Sequence, residues 1–152
     1  MKTRVYHLYC AVLSALLSVL GFTSCSKDTM GEYGSPNADY RIEGNVTDEN
    51  GNPITGILVS ADYYEERQNG KYWYNLASKK TNYGKYSLNF NTFPEFRWLK
   101  LVVQDVDGED NGGEFANDTI DIDYKSAVQT KEGERWYSGA YRIIQDIKLK
   151  KK

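Results

Sequence analysis

Histidine and cysteine are scarce in this chain of 152 residues, which contains one histidine, His7, and two cysteines, Cys10 and Cys25. Residues 26–152 contain neither residue type. For that part of the chain, this excludes histidine-based general base catalysis and nucleophiles that depend on histidine. It also excludes zinc sites of histidine and cysteine, and internal disulfides.

An excess of positive charge is also missing. The chain has 19 Lys and Arg residues against 21 Asp and Glu residues, with a formal net charge of −2. If residues 1–24 are removed, Lys2 and Arg4 leave with them, so 17 basic residues remain and the net charge becomes −4. Nucleic-acid binding needs a basic surface, so we expect no nucleic-acid partner.

Residues 1–24 predict a lipoprotein signal peptide. Lys2 and Arg4 form a short positive region, and an apolar run interrupted only by small residues follows from Leu8 to Phe22. This layout is typical of a secretory signal, and the run is shorter than the ~20 apolar residues of a membrane-spanning helix. The small residues that precede Cys25 resemble a bacterial lipobox.

The lipobox resemblance implies that Cys25 carries a thioether-linked diacylglycerol and becomes the first residue after cleavage. The lipid bilayer is then a partner, because acyl chains add ~0.8 kcal/mol per buried CH₂ and two or more chains anchor stably. Ser26 stands where an inner-membrane retention aspartate would sit, so we expect the outer membrane, on its periplasmic or its surface side. The alternative is ordinary cleavage near Ser24, which leaves Cys25 as a free thiol.

Residues 25–37 predict a flexible tether, since they hold too little apolar surface to offset the entropy of ordering. Residues 38–152 predict one folded domain in which apolar and polar residues alternate with period two. The alternating sets begin at Tyr40, Ile57, Tyr72, Tyr86, Leu99, Ile120 and Tyr141, and the last has a phase slip near Ile144.

The connections between these sets carry turn residues. Asn50-Gly51 and Asn69-Gly70 favour tight hairpin turns with positive φ. After Cys25, no stretch sustains helical periodicity over three turns. We therefore expect an all-β fold, an antiparallel seven-stranded β-sandwich of the transthyretin-like or immunoglobulin-like kind, preceded by a signal helix and the tether.

Two segments resemble carboxypeptidase regulatory-like domains. Gly44–Val59 contains their Gly-x-Val-x-Asp opening, a Gly-x-Pro turn and a second glycine before the next strand. Thr81–Leu88 resembles their later Thr-Asp-x-x-Gly-x-Tyr-x-Leu motif, with Asn82 in place of the usual acid. The resemblance implies a transthyretin-like sandwich.

A second resemblance covers most of residues 25–152. Tyr33–Tyr40, the Gly-x-Pro-Ile turn and Asp105–Phe115 are similar to the radical-SAM-associated lipoproteins of Bacteroidetes. Members of that family are encoded beside a radical SAM enzyme and have no established biochemical activity. The cysteine usual in their Tyr-Gly stretch is Ser35 here. The resemblance implies a modification substrate or accessory of that enzyme as one possible role.

The segment Asp105–Glu114 is the first candidate site. Its oxygen-bearing side chains are Asp105, Asp107, Glu109, Asp110, Asn111 and Glu114, interleaved with glycines. Hard cations such as Ca²⁺ take six to eight oxygen ligands, although the spacing departs from that of an EF-hand. The hypotheses are a Ca²⁺ or Mg²⁺ site and a solvated hairpin loop between strands five and six. Alternation also points Asp105 toward the core, where a carboxylate needs a partner.

Aromatic side chains are the second candidate site. Alternation places Trp73 on the strand face opposite its tyrosine neighbours, puts Trp98 out of phase with the apolar residues after it, and leaves Trp136 in a glycine-containing loop. Such rings stack on sugars or contact proteins when exposed, and otherwise pack in the core.

These observations predict a lipid-anchored, non-catalytic binding or assembly module whose partner is an envelope protein or a glycan. Glycosidase chemistry needs two carboxylates ~5–9 Å apart with one raised pKa, and nothing in the sequence marks one carboxylate as buried. We therefore expect no enzymatic activity. A substrate of a radical SAM enzyme and a carbohydrate-binding surface module are the alternatives.

Overall fold

The computed structural model describes residues 2–19, 34–94 and 99–152. The chain divides into two units, Met1–Gly34 and Ser35–Lys152. The first unit contains helix α1 (Lys2–Val19), on which Leu13 and Leu16 are exposed. None of the described helices is long and apolar enough to cross a bilayer. The acylation predicted at Cys25 and most of the predicted tether lie outside the described residues.

The second unit is built of strands, and the described residues contain nine of them. They are β1 (Asn37–Thr47), β2 (Ile57–Arg67), β3 (Gly70–Lys80), β4 (Lys85–Thr92), β5 (Leu99–Asp105), β6 (Asp118–Ile122), β7 (Val128–Lys131), β8 (Tyr137–Ile144) and β9 (Ile147–Lys148). One sheet has the order β4-β1-β8-β7, with β9 also paired to β1, and the other has the order β3-β2-β5-β6. The expected all-β fold is confirmed in this sandwich-like, two-sheet form, with nine described strands where seven were expected.

The core is formed by apolar residues of the alternating sets. Ile42 of β1, Val59 of β2 and Leu101 of β5 have no exposed surface, and Leu88 of β4 and Ile143 of β8 are buried with them. Because side chains on a strand point to opposite faces in turn, these five strands give one face to this core and the other to the outside of the sheet. The outer face of each sheet is where a binding surface can form.

The five-stranded sheet corrects the expectation of a purely antiparallel sandwich. Strand β1 pairs antiparallel with β4 but parallel with both β8 and β9. The phase slip seen near Ile144 separates these last two strands. Gly44 accommodates the slip, since a Cβ there would collide with the carbonyl oxygen of Gln145. Strand β7 was not predicted, because all four of its residues are exposed and show no apolar alternation.

The Asn50-Gly51 turn follows β1 but does not join it to a paired strand, because β1 and β2 belong to different sheets. One carboxylate oxygen of Asp48 accepts the N–H of Asn50 at 2.9 Å and that of Asn52 at 2.8 Å, and Gly51 has a φ of 88°. The predicted positive-φ turn is therefore present, but as part of a crossover between sheets.

The two segments that resemble carboxypeptidase regulatory-like domains lie in contact. Gly84, with a φ of 73°, packs so closely on Pro53 that a Cβ would come within 2.6 Å of the proline side chain. The buried Thr81 hydroxyl donates to the carbonyl oxygen of Ile54 at 2.8 Å and accepts the N–H of Ile57 at 3.1 Å. These contacts fix the start of β2 beside the end of β3.

Candidate functional site

The acidic segment forms the connection between β5 and β6, which are antiparallel neighbours. It includes a short 3₁₀ turn, Asp110–Gly112, in which Asn111 has a φ of 53°. We call residues 105–114 the acidic loop. Its position agrees with the predicted hairpin between the fifth and sixth strands.

Backbone amides are the partners that the structure gives to Asp105. One of its carboxylate oxygens accepts the N–H groups of Asp107 at 3.2 Å and Gly108 at 3.1 Å, and the other accepts that of Phe115 at 2.7 Å. Burial by itself raises the pKa of Asp105, but these hydrogen bonds, with Phe115 foremost, outweigh it and hold the pKa below its ordinary value. Since Phe115 is buried, the carboxylate ties the loop to the core.

Three other polar side chains of the acidic loop, those of Asp107, Asn111 and Glu114, also have partners within the protein. The side-chain amide of Asn111 donates to the carboxylate of Asp107, and that carboxylate lies where a Cβ of Gly56 would be. Lys152 forms an ion pair of 2.7 Å with Glu114, while Glu109 and Asp110 are exposed. Across residues 2–19, 34–94 and 99–152, no group of three or more His, Cys, Asp or Glu side chains is arranged to hold a metal ion.

The second candidate site lies on the outer face of the four-stranded sheet. The pairing of β2 with β3 sets Tyr63 opposite Tyr74 and Tyr64 opposite Trp73, so one ring pair faces the core and the other faces out. The Tyr64 and Trp73 ring centres are 5.0 Å apart with the planes tilted by 38°. Tyr64 is buried, whereas Trp73 is 51% exposed.

Charged side chains from β5, β6 and β3 border these rings. Lys100 lies opposite Asp121 in the pairing of β5 with β6, and its Nζ is 3.3 Å from a carboxylate oxygen of that residue. The same Nζ is 5.8 Å from the centre of the Trp73 ring. Lys71 places its Nζ 5.4 Å from the centre of the Tyr64 ring. Ammonium groups at these distances are attracted to the ring faces, which favours this arrangement of the side chains.

Tyr64, Lys71, Trp73, Lys100 and Asp121, which we call the aromatic patch, line one pocket of about 450 Å³ together with Leu99 and Ile122. A hydrogen bond with Tyr64, followed by nearby negative charge, raises the pKa of Lys71, so this group is cationic at neutral pH. The patch thus offers an exposed indole with hydrogen-bond donors and an acceptor beside it.

The three tryptophans singled out in the sequence do not form one surface among the described residues. Trp136 is 44% exposed in the turn between β7 and β8, where its carbonyl oxygen accepts the N–H of Asn37 at 2.9 Å. It therefore belongs to the five-stranded sheet, while Trp73 belongs to the other. Trp98 lies outside the described residues. Lys100 and Asp121 were not predicted, because the registers of β2 with β5 and of β5 with β6 bring them beside Trp73.

Comparisons with known proteins find no matching family model and no matching curated protein. Among solved structures, the chain is similar to 3-chlorocatechol 1,2-dioxygenase from Rhodococcus opacus 1CP, with 10% identity and a TM-score of 0.48. That match covers 80% of this chain and 62% of the dioxygenase. The dioxygenase domain of a dioxygenase carbohydrate-binding protein fusion from Streptomyces sp. SirexAA-E matches with 12% identity and a TM-score of 0.41, over 79% of this chain and 84% of that one. At these values the likeness assigns neither a family nor a function.

Proposed function

We propose that residues 38–152 form a non-catalytic binding module that an acylated Cys25 attaches to the outer membrane. The observation that carries the binding function is the aromatic patch. Trp73 stays 51% exposed while Tyr64 and Lys100 hold it in place, so it offers a large contact area that is already ordered. Binding to such a surface loses little side-chain entropy, which favours affinity.

The attachment is supported by the sequence of the first 25 residues. The positive start, the short apolar run and the small residues before Cys25 are typical of a lipoprotein signal. We expect Cys25→Ala to leave the precursor uncut or to release the protein into a soluble fraction, because no acyl chain can then be attached. Fractionation of native cells with immunoblotting measures this. Unchanged processing and membrane retention would contradict the anchor.

The binding role is tested by photo-crosslinking in native cells. Thr119 is exposed on β6, two residues before Asp121 and on the same face. A photoreactive phenylalanine derivative at Thr119 is expected to give a crosslinked adduct, and Trp73→Ala in that background should remove it. The matched control is the same derivative at Val128, which is 65% exposed on the other sheet. An adduct that persists with Trp73→Ala would show that the aromatic patch is not the contact surface.

As a second function, we propose a role as a substrate or accessory of a neighbouring radical SAM enzyme. The similarity of Tyr33–Tyr40 and Asp105–Phe115 to the radical-SAM-associated lipoproteins supports it. Intact-mass measurement on protein purified from its native host tests this proposal. A mass beyond that of the acylated chain favours the substrate role. A mass equal to that of the acylated chain contradicts the substrate role and leaves the binding module as the proposed function.

A further inference from the structure

We propose that the aromatic patch binds a neutral saccharide, a pyranose with equatorial hydroxyl groups. This inference rests on the proposed binding function and names the ligand class of that same surface. Three properties of the patch lead to it: an exposed ring, a paired donor and acceptor beside the ring, and an open pocket of suitable size.

The exposed ring supplies the apolar contact. A pyranose with equatorial hydroxyl groups presents C–H bonds on both flat faces, and these pack on an aromatic ring. The indole of Trp73 is 51% exposed, and the ring of its cross-strand neighbour Tyr64 lies 5.0 Å away. Lys100 lies 5.8 Å from the centre of the same ring, so a sugar on the ring meets the ammonium group as well.

The Lys100–Asp121 pair supplies the polar contact. A hydroxyl group both donates and accepts hydrogen bonds, whereas an ammonium only donates and a carboxylate only accepts. With the two groups 3.3 Å apart, one hydroxyl of a vicinal pair can accept from Lys100 while its neighbour donates to Asp121. The side chain of Asp121 is 83% exposed, so its remaining acceptor positions face solvent.

The charge balance of this pair favours a neutral ligand. Lys100 is offset by Asp121, and the charge of Glu66 acts on Lys71. An anionic ligand would compete with these carboxylates for the lysines. A cationic ligand would compete with the lysines for the carboxylates. The pocket of about 450 Å³ lies within the ~300–1,000 Å³ range of small-molecule sites.

Binding is tested with the acylated full-length protein in a detergent that carries no sugar headgroup. The probes are cellohexaose, laminarihexaose and xylohexaose, and the acidic comparison is hexagalacturonic acid. We expect at least one neutral probe to bind saturably by calorimetry and hexagalacturonic acid to bind more weakly. Trp73→Ala should weaken the neutral probe by roughly tenfold or more. Trp73→Phe should keep part of the affinity, and Trp136→Ala should keep all of it.

Three results would overturn the inference. They are no binding of any neutral probe at millimolar concentration, tighter binding of hexagalacturonic acid, and an equal loss of affinity in Trp73→Ala and Trp136→Ala. Far-UV circular dichroism of each variant checks that it is folded. If the neutral probes fail while the Thr119 adduct depends on Trp73, the surface binds a partner of another class and only the saccharide assignment is wrong.

Discussion

Asp105 and Asp121 are both carboxylates on adjacent strands of the four-stranded sheet, but the fold uses them differently. Asp105 directs its two oxygens to three backbone N–H groups of its own loop. Asp121 has one lysine partner and a side chain that is 83% exposed. The acidic loop thus has its strongest acceptor engaged within the protein, and the aromatic patch keeps its acceptor open to solvent.

This difference bears on how each carboxylate could take part in binding. The acidic loop contains more acidic residues, yet Asp105 and Asp107 accept hydrogen bonds from N–H groups of the same loop. At Asp105, a ligand would have to share the carboxylate with three backbone N–H groups. At Asp121, it would share the carboxylate with Lys100.

The largest effect is expected from removing the Asp105 carboxylate. Asp105→Ala leaves three backbone N–H groups without an acceptor, so we expect the free energy of unfolding to fall by about 2–4 kcal/mol. Asp110→Ala, in the same loop but exposed, and Trp73→Ala should each change it by less than about 1 kcal/mol. Urea denaturation followed by fluorescence or circular dichroism measures all three. Equal losses in Asp105→Ala and Asp110→Ala would show that the loop is not held by Asp105.

A smaller effect is expected on the dependence of stability on pH. Because the folded-state pKa of Asp105 lies below its ordinary value of 3.8, its ionised form stabilises the fold. That contribution is fully present above the unfolded pKa and is lost as the pH falls through the lower, folded pKa. The wild type should therefore lose stability more steeply than Asp105→Asn between about pH 5 and pH 2. Asp39 and Asp48 also have lowered pKa values, but they are common to both proteins and cancel in the difference.

The smallest effect is expected from calcium. Binding to the native state alone would stabilise it by RT ln(1 + [L]/Kd), about 2.7 kcal/mol at a hundredfold excess over Kd, and raise Tm by several degrees. Since the carboxylates of Asp105 and Asp107 are already hydrogen-bonded, we expect the same Tm in millimolar calcium and in chelator. A rise of several degrees that Asp105→Asn with Asp107→Asn abolishes would instead establish the predicted cation site.

Alternation in the sequence located β1 to β6 and β8, and most of these strands bury residues on one face. It could not locate β7, whose residues are all exposed, or divide β8 from β9, since that division depends on the close approach of Gly44 to Gln145. Pairing was less predictable than the strands themselves. The Asn50-Gly51 pair predicts a turn, but it does not predict whether the strands on either side of the turn pair with each other. β1 and β2 in fact belong to different sheets.

The same limit applies to the candidate site. Alternation placed Trp73 and Tyr64 each on the face opposite its tyrosine neighbour, and the register of β2 and β3 pairs them. Lys100 and Asp121 lie beside these rings because of two further registers, those of β2 with β5 and of β5 with β6, which pair residues far apart in the chain. Alternation also indicates that Asp105 needs a partner, but it does not identify the backbone N–H groups of Asp107, Gly108 and Phe115 that bind it.

The parallel pairing of β1 with β8 also has a consequence for the time at which the protein folds. Asn37 pairs with Tyr137, about a hundred residues later, and such long-range contacts form slowly. During synthesis, β1 is made early, and its parallel partners β8 and β9 become available only when the end of the chain has been made. If the proposed signal peptide directs the chain through a channel that passes unfolded polypeptides, the interior position of β1 would delay folding until nearly the whole domain has crossed.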